Sequence, residues 1–444
     1  MAKKDDIFDV ALTKAVHQVQ IEGLLEGAQI FLRKNKIIYC MEEKCFYRYD
    51  GKYYKKSYDE EIHGLLIEDE FVAMLAIAKR DVISRNIRIL ARINIDKFNS
   101  QDCLCMDNGI LYPKDNRLIP HTPDIINTIR LPYEFNPEAR CPLWEKSLDE
   151  IFENDKNKIR VLQEFIGYCL TRETHFEKAL MFIGDGRNGK STVLSVIESL
   201  VGEENCAALP LKYLDDPQHA CLLLGKYINI NSEFGGKYVD FEDAFKTIVS
   251  GEAISVNPKY ATMFRYRPFC KMIFAVNNFP HIEDKTGALY SRLMIISFDR
   301  IFKQEEQNKQ LKYQLKAELS GVLNWAITGL QRLTERQDFA IDEYMKKVLL
   351  DLKSFNNPLF GFIDDCIDVT PGVESIKSDV YREYKEWCAL NGFKPYGVNK
   401  FGMEFFRLLK GKIKDSKETW GERRRTWVNI KLVNGKSLPT GWQE

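Results

Sequence analysis

Nine consecutive residues in the middle of the chain have the types and spacing for phosphate chemistry: Gly184-Asp185-Gly186-Arg187-Asn188-Gly189-Lys190-Ser191-Thr192, a match to GxxxxGK[ST]. A loop that wraps a phosphate with backbone N–H groups has no room for side chains at its tight positions, so Gly stands there. Lys190 supplies positive charge to the β- and γ-phosphates, and the Ser191 hydroxyl suits Mg²⁺. The pattern predicts a site for ATP and Mg²⁺ in which the whole motif cradles the nucleotide.

The surrounding elements must aim that loop. The apolar run 178–184 (KALMFIG) reads as a buried parallel strand leading into it. The segment 192–200 reads as a helix with its positive end toward the phosphates. Further apolar runs at 226–230, 271–276 and 294–298 alternate with helical stretches, which predicts an α/β domain with a largely parallel sheet. In open sheets of this kind, ligand groups gather at the C-terminal strand tips. Glu233 follows the 226–230 run. It is the candidate catalytic base or water-positioning residue, helping Ser191 with the metal, and the alternative is a plain surface acid. Asn277 ends the 271–276 run, where an amide can orient the attacking water or sense the γ-phosphate. An Asn before a turn is also common. Arg292 precedes the 294–298 run and can act as an arginine finger on a neighbour's γ-phosphate, although a lone Arg is commonly salt-bridged.

The remaining chain divides around this centre. Residues 1–140 predict a small α+β domain, with strands at 36–40 and 45–49, a tight Asp50-Gly51 turn before 52–55, and a helix over 71–94. Residues 142–174 read as a helical bridge and 303–336 as a helix, so the ATPase domain is placed at 141–345. Pro358 and Pro371-Gly372 mark a looser stretch. From 375 onward a final small domain is expected within 346–444, with helices at 378–390 and 399–409 and then a pair of strands around a charged loop.

Composition excludes little. Of 444 residues, 45% are apolar and 29% charged, an ordinary globular mix. Lys plus Arg equals Asp plus Glu at 64 each, so net charge points to no nucleic-acid partner. Residues 392–436, however, hold 12 Lys or Arg against 4 Asp or Glu, a net of +8. No stretch reaches the roughly 20 apolar residues that span a bilayer, and the N-terminus lacks the apolar core of a signal peptide. A cytoplasmic protein without a membrane partner is expected, in a bacterial host. Cys40, Cys45, Cys103 and Cys105 could hold zinc, but no CxxC is present and buried thiols are the commoner outcome. Disulfides are not expected in a reducing compartment.

Taken in order, these motifs resemble a known family. They are FNPEARCPLWEKSL (135–148), FIGYCLT (165–171), the 184–192 loop, Glu233, KTIVSGEAISVNPKY (246–260), Asn277-x-x-Pro280 and Arg292-Leu293. The series resembles the superfamily 3 helicases of phage, plasmid and large-DNA-virus primase–helicase proteins. The resemblance implies an AAA+ ATPase core that assembles as a ring, usually a hexamer, and moves 3′ to 5′ on single-stranded DNA in replication of a mobile element. It implies that Lys190 is the loop lysine, Glu233 the metal-site acid, Asn277 the sensor and Arg292 the finger. Where relatives carry paired acids this chain has one, and Ser291 stands where many carry a further Arg. Many relatives begin with a primase domain. This chain has too little N-terminal sequence for one, so no primer synthesis is expected, and a separate primase or initiator is a possible partner.

Between Glu233 and Asn277 a β-hairpin is expected, with arms at 254–256 and 263–266. In the family such a hairpin grips DNA in the ring's channel. Lys259 and Tyr260 near the tip combine a cation with an aromatic ring, which suits a single strand, with Arg265 and Lys246 behind them. A solvated surface hairpin is the alternative. The C-terminal region resembles the family's winged-helix domain, in which Lys400 on the second helix and Arg423, Arg424 and Arg425 on the wing would contact single- or double-stranded DNA. Charge runs are also commonly solvated faces. Two rival functions stay open: a DNA-binding initiator, loader or switch that hydrolyses ATP without unwinding, and a small-molecule kinase.

Overall fold

The computed structural model describes residues 24–68, 80–231, 242–282, 287–417 and 425–433. Glu233, Arg423, Arg424 and the first part of the expected 71–94 helix lie outside them.

The N-terminal region is α+β, as its sequence predicts. A helix over 24–35 packs on a sheet of β1 (Ile37–Cys40), β2 (Cys45–Tyr49), β3 (Tyr54–Ser57) and β4 (Arg92–Ile93), ordered β3-β2-β1-β4. The Asp50 carboxylate accepts from the N–H groups of Lys52 (2.9 Å) and Tyr53 (3.0 Å). This side-chain turn delays β3 by two residues relative to a tight hairpin. Helical pattern runs to 94, but the helix Arg80–Leu90 stops earlier, and Arg92 and Ile93 pair with β1. A meander of β5 (Leu104–Met106), β6 (Gly109–Tyr112) and β7 (Arg117–Ile119) follows.

The expected helical bridge is two helices, Pro142–Ile151 and Lys156–Cys169. Glu153 and Asn154 adopt positive φ (50° and 65°), which breaks the run. The Asp155 carboxylate then caps the second helix through Asn157 N and Lys158 N. The core sheet comprises β8 (Ala179–Ile183), β9 (Cys206–Ala207), β10 (Ile228–Asn231), β13 (Lys271–Val276) and β14 (Leu293–Ser297), all parallel, in the order β14-β8-β13-β10-β9. Its strands are almost wholly buried, which is why they read as continuous apolar runs. The two-residue β9 carries no such signal. A separate hairpin joins β11 (Ile254–Val256) to β12 (Phe264–Tyr266).

The helices Lys156–Cys169 and Leu319–Arg336 cover one face of the sheet. They approach so closely that a Cβ on Gly167 would fall 2.7 Å from Leu330 N. The stretch read as helix from 303 is irregular as far as 310. It forms a loop pinned by Glu306, whose carboxylate accepts from Lys303 N (2.7 Å) and Arg300 (3.0 Å) and is held below its usual range by those bonds. The helix Glu343–Asn356 packs Leu352 into the core on the other face of the sheet, and Asn356 bonds Ile282 N (2.8 Å) and Pro280 O (3.1 Å). The core therefore continues past the expected boundary at 345.

The C-terminal unit runs helix Leu359–Cys366, β15 (Ile367–Asp368), β16 (Glu374–Ile376), helices Lys377–Leu390 and Val398–Leu408, β17 (Lys414–Lys417), β18 (Arg425–Val428) and β19 (Lys431–Leu432). Its main sheet has the order β16-β18-β17 around an aromatic core that includes Phe362, Tyr384, Phe401, Phe405 and Trp427.

Candidate functional site

The 184–192 loop connects the tip of β8 to the helix Lys190–Val201. Both neighbouring strand ends brace it. Gly184 N donates to Val276 O (3.3 Å) at the end of β13, and Phe298 N, just past β14, donates to Ile183 O (2.7 Å). Two glycines are required by the geometry. Gly184 has φ +147° and lies against the Phe298 carbonyl, and Gly189 has φ +93° with Ile151 Cδ1 2.8 Å from where its Cβ would be. A Cβ at either position would collide with these neighbours.

Asn188 is buried and bridges the loop to β14. Its Nδ2 donates to Phe298 O (3.1 Å), and its Oδ1 accepts from Lys190 Nζ (3.1 Å). Lys190 Nζ also donates to the carbonyls of Gly184 and Asp185, the latter at 2.8 Å. Burial pushes the Lys190 pKa down, and the nearby Asp185 carboxylate opposes that. An incoming phosphate would relieve the desolvated ammonium better than neutral carbonyls do. The exposed Ser191 starts the helix beside it.

These residues line a cleft of about 480 Å³, within the range of small-molecule sites. Asn277, from the tip of β13, faces the same cleft. The tips of adjacent parallel strands β8 and β13 carry the loop and the amide. The rest of the wall comes partly from the 135–148 run of the motif series and partly from residues outside any motif. Leu143 and Ile151 come from the helix Pro142–Ile151, and Phe302, Gln307, Asn308 and Leu311 from the loop after β14. They supply an apolar slot with two amides, suited to a nucleobase and ribose. The lining cations are Arg187, Lys146, Lys190, Lys309 and Lys312 against Glu150 and Glu306, a balance that suits a polyphosphate.

Arg292 lies elsewhere. The β14–β8 register pairs Leu293 with Ala179, so Arg292 sits at the N-terminal edge of the sheet. That is one strand, roughly 17 Å, from its own loop. Its guanidinium donates to Glu177 (2.7 Å), Ser250 Oγ (3.1 Å) and Ala288 O (3.1 Å), while its Nε has no hydrogen-bond partner among the described residues.

On the hairpin, Val256 and Tyr266 anchor the arms against Ala220. Lys259 is exposed, and Tyr260 is 96% exposed with φ +67°. Arg265 is exposed opposite Ser255. Lys246 instead pairs with Glu242 (2.6 Å) and Asp243 (3.5 Å) on its own helix, so its charge is largely neutralised. In the C-terminal unit, Lys400 is exposed with its ammonium 4.0 Å from the Tyr396 ring centroid, and Arg425 is exposed at the start of β18. The four cysteines weighed for zinc do not converge. Cys40 and Cys45 pair across β1 and β2, Cys103 bonds Asn127, and no metal-ligating group of three or more is present among the described residues. Burial pushes the Cys40 and Cys105 thiols up to about 12. No helix among the described residues is long and apolar enough to cross a membrane.

Three family models match successive parts of the chain. Residues 28–153 match "D5 N terminal like" and residues 354–433 match "Poxvirus D5 protein-like". Its two flanks are D5-like. Residues 182–292, which contain the loop, match a family of unknown function, DUF5906. The D5-like matches support the primase–helicase family that the motif series resembles. Among solved structures, the A form apo structure of the NrS-1 C-terminal region aligns at 13% identity and TM-score 0.53, over 90% of this chain and 98% of that one. An apo structure of NrS-1 residues 305–718 aligns at 11% identity and TM-score 0.53, over 91% and 98%. At these identities the likeness shows a shared fold.

Proposed function

We propose that this protein is an ATP-driven DNA helicase of the superfamily 3, AAA+ kind, working as a ring in replication of a mobile element. One observation carries the reading: the phosphate loop and Asn277 face each other across one cleft from adjacent strand tips. The loop N–H groups and Lys190 bind the triphosphate. Asn277 orients a water, and Glu233 accepts its proton as the water oxygen bonds to the γ-phosphorus and the bond to the ADP oxygen breaks. Mg²⁺ held by Ser191 and Glu233 would neutralise phosphate charge. Arg292 serves the site of a neighbouring subunit, because its own loop lies at the far edge of the sheet. The exposed Lys259 and Tyr260 move one DNA strand, in the 3′ to 5′ direction. The C-terminal unit acts as a winged helix whose Val398–Leu408 helix and residues Arg423, Arg424 and Arg425 hold duplex DNA.

Forked-DNA unwinding with ATP tests this directly, beside ATP hydrolysis with and without single strands at stated salt. Lys190→Ala is expected to abolish hydrolysis, and Lys259→Ala to keep basal hydrolysis while losing unwinding. Hydrolysis that single strands never stimulate, with no unwinding, would favour a loader or switch.

A further inference from the structure

A second cleft, of about 420 Å³, opens between the N-terminal sheet and the core. Arg172, Lys226 and Phe269 lead into β8, β10 and β13, so this cleft lies at the N-terminal edge of the parallel sheet, opposite the 184–192 loop. Its lining holds five cationic side chains and two acidic ones. Some of these brace the fold: Lys56 pairs with Glu43 at 2.9 Å and Arg130 with Asp107 at 3.0 Å. Others keep charge unpaired. Arg172 lies over the Phe269 ring (4.7 Å to its centroid) and donates to the carbonyls of Phe98 (3.1 Å) and Asn99, and its Nε has no hydrogen-bond partner among the described residues. Lys226 donates to the Glu204 carbonyl, and burial pushes its pKa down. Neither forms an ion pair among the described residues. The half-buried Tyr53 ring has Lys55 and Arg130 5.4 and 6.0 Å from its centroid.

Guanidinium groups match phosphate oxygens, and a ring flanked by cations suits a stacked base. An acidic peptide would use the cations and leave the aromatic wall idle. We propose that this cleft is a second nucleotide site, separate from the phosphate loop. It takes one nucleotide unit, free or as a link in a single strand, with the base against Tyr53 and the phosphate against Arg172 and Lys226. The site also touches the root of the hairpin, since Tyr266 Oη accepts from Gly225 N at 3.0 Å and both residues line the cleft.

The test uses the full chain bearing Lys190→Ala, which silences the other site. Two photoactivatable probes are compared, thiothymidine monophosphate and an oligothymidylate with one thiothymidine. Crosslinks are expected within residues 53–56 or 266–269. Adding Lys226→Glu should weaken binding about tenfold, as loss of one charged contact does. Tyr53→Ala should do the same from the other wall, which guards against misfolding of the first variant. Crosslinking by the monophosphate alone identifies a free nucleotide, and crosslinking only by the oligomer identifies a strand path. If neither probe marks these residues, or both variants bind as tightly as Lys190→Ala, the proposal is overturned. ATP hydrolysis by Lys226→Glu with Lys190 intact reports separately on the first site.

Discussion

Replacing Asn188 with Ala should damage the phosphate loop more than its single amide suggests. Asn188 is 2% exposed and joins three parts of the site: Phe298 O at 3.1 Å, Lys190 Nζ at 3.1 Å and the loop backbone itself. The substitution removes a neutral hydrogen bond and a charge-assisted one, and strands a buried carbonyl. Net values of about 1 kcal/mol for the first and about 2 for the second put the loss near 3 kcal/mol. A domain of ordinary stability survives that, so the chain should still fold. Under the proposed function, the loss falls on the geometry that Lys190 and the N–H groups need to bind ATP. Spent there, about 3 kcal/mol corresponds to a roughly hundredfold fall in kcat/KM for ATP hydrolysis. Asn188→Asp keeps the shape but presents oxygen to the Phe298 carbonyl, and should also lose activity. Hydrolysis kinetics and thermal melting on the same samples decide the matter. A kcat/KM within twofold of the parent, with unchanged melting, would refute the bridging role.

The other predictions concern the hairpin, a buried lysine and the far edge of the sheet. Tyr260→Ala should leave melting unchanged, because the ring is 96% exposed, and weaken single-strand binding about tenfold, as measured by fluorescence anisotropy. Lys271 is 2% exposed, and burial lowers its pKa from 10.5 to about 8. Between those values the unfolded chain holds a proton that the folded one has released, so this group makes stability rise with pH over that window, by at most about 3 kcal/mol. Urea unfolding at about pH 7.5 and about pH 9.5 should show about 2 kcal/mol of that rise in the parent and lose it in Lys271→Met. Glu177→Gln frees the Arg292 guanidinium from its 2.7 Å pair. If Arg292 reaches a neighbour's phosphate, hydrolysis under assembling conditions should hold or rise up to about fivefold, the worth of an exposed pair; a joint fall in hydrolysis and melting would assign Arg292 to bracing.

Much of the centre of this molecule can be read from its sequence, for a physical reason. Parallel strands are buried on both faces, so β8, β13 and β14 stand out as apolar runs, and the glycines between β8 and its helix mark a backbone of positive φ packed close against Phe298 and Ile151. Asn277 can be read because a strand tip is a fixed address. The opposite wall of the cleft cannot. Leu143, Ile151, Phe302 and Leu311 look like any core residues, and only packing brings the helix before the sheet against the loop after it. The bridge of Asn188 to Phe298 spans 110 residues and leaves no local trace. Helix 343–356 was equally hidden, since its docking depends on Asn356 finding Pro280 and Ile282. Local periodicity overran wherever a side chain or a left-handed residue stopped it, as at Glu153 and Asn154.

The placement of Arg292 limits how the site can work. Every strand of the core sheet runs in one direction, so one edge collects the phosphate loop and Asn277 while the other collects the residues that precede the strands. Arg292 belongs to the second edge, where Glu177 and Ser250 hold it. Reaching its own cleft would mean running the length of a strand, roughly 17 Å, through a packed core, which interiors at crystal-like density do not permit. A role for Arg292 in hydrolysis therefore requires a second chain whose cleft faces this edge. The same edge carries the aromatic and cationic cleft between the N-terminal sheet and the core. A subunit docked there would bring its phosphates, the Glu177 pair and the root of the hairpin into one neighbourhood. Under the proposed function, assembly then becomes part of the chemistry: a lone chain binds ATP but lacks the guanidinium that neutralises the transition state.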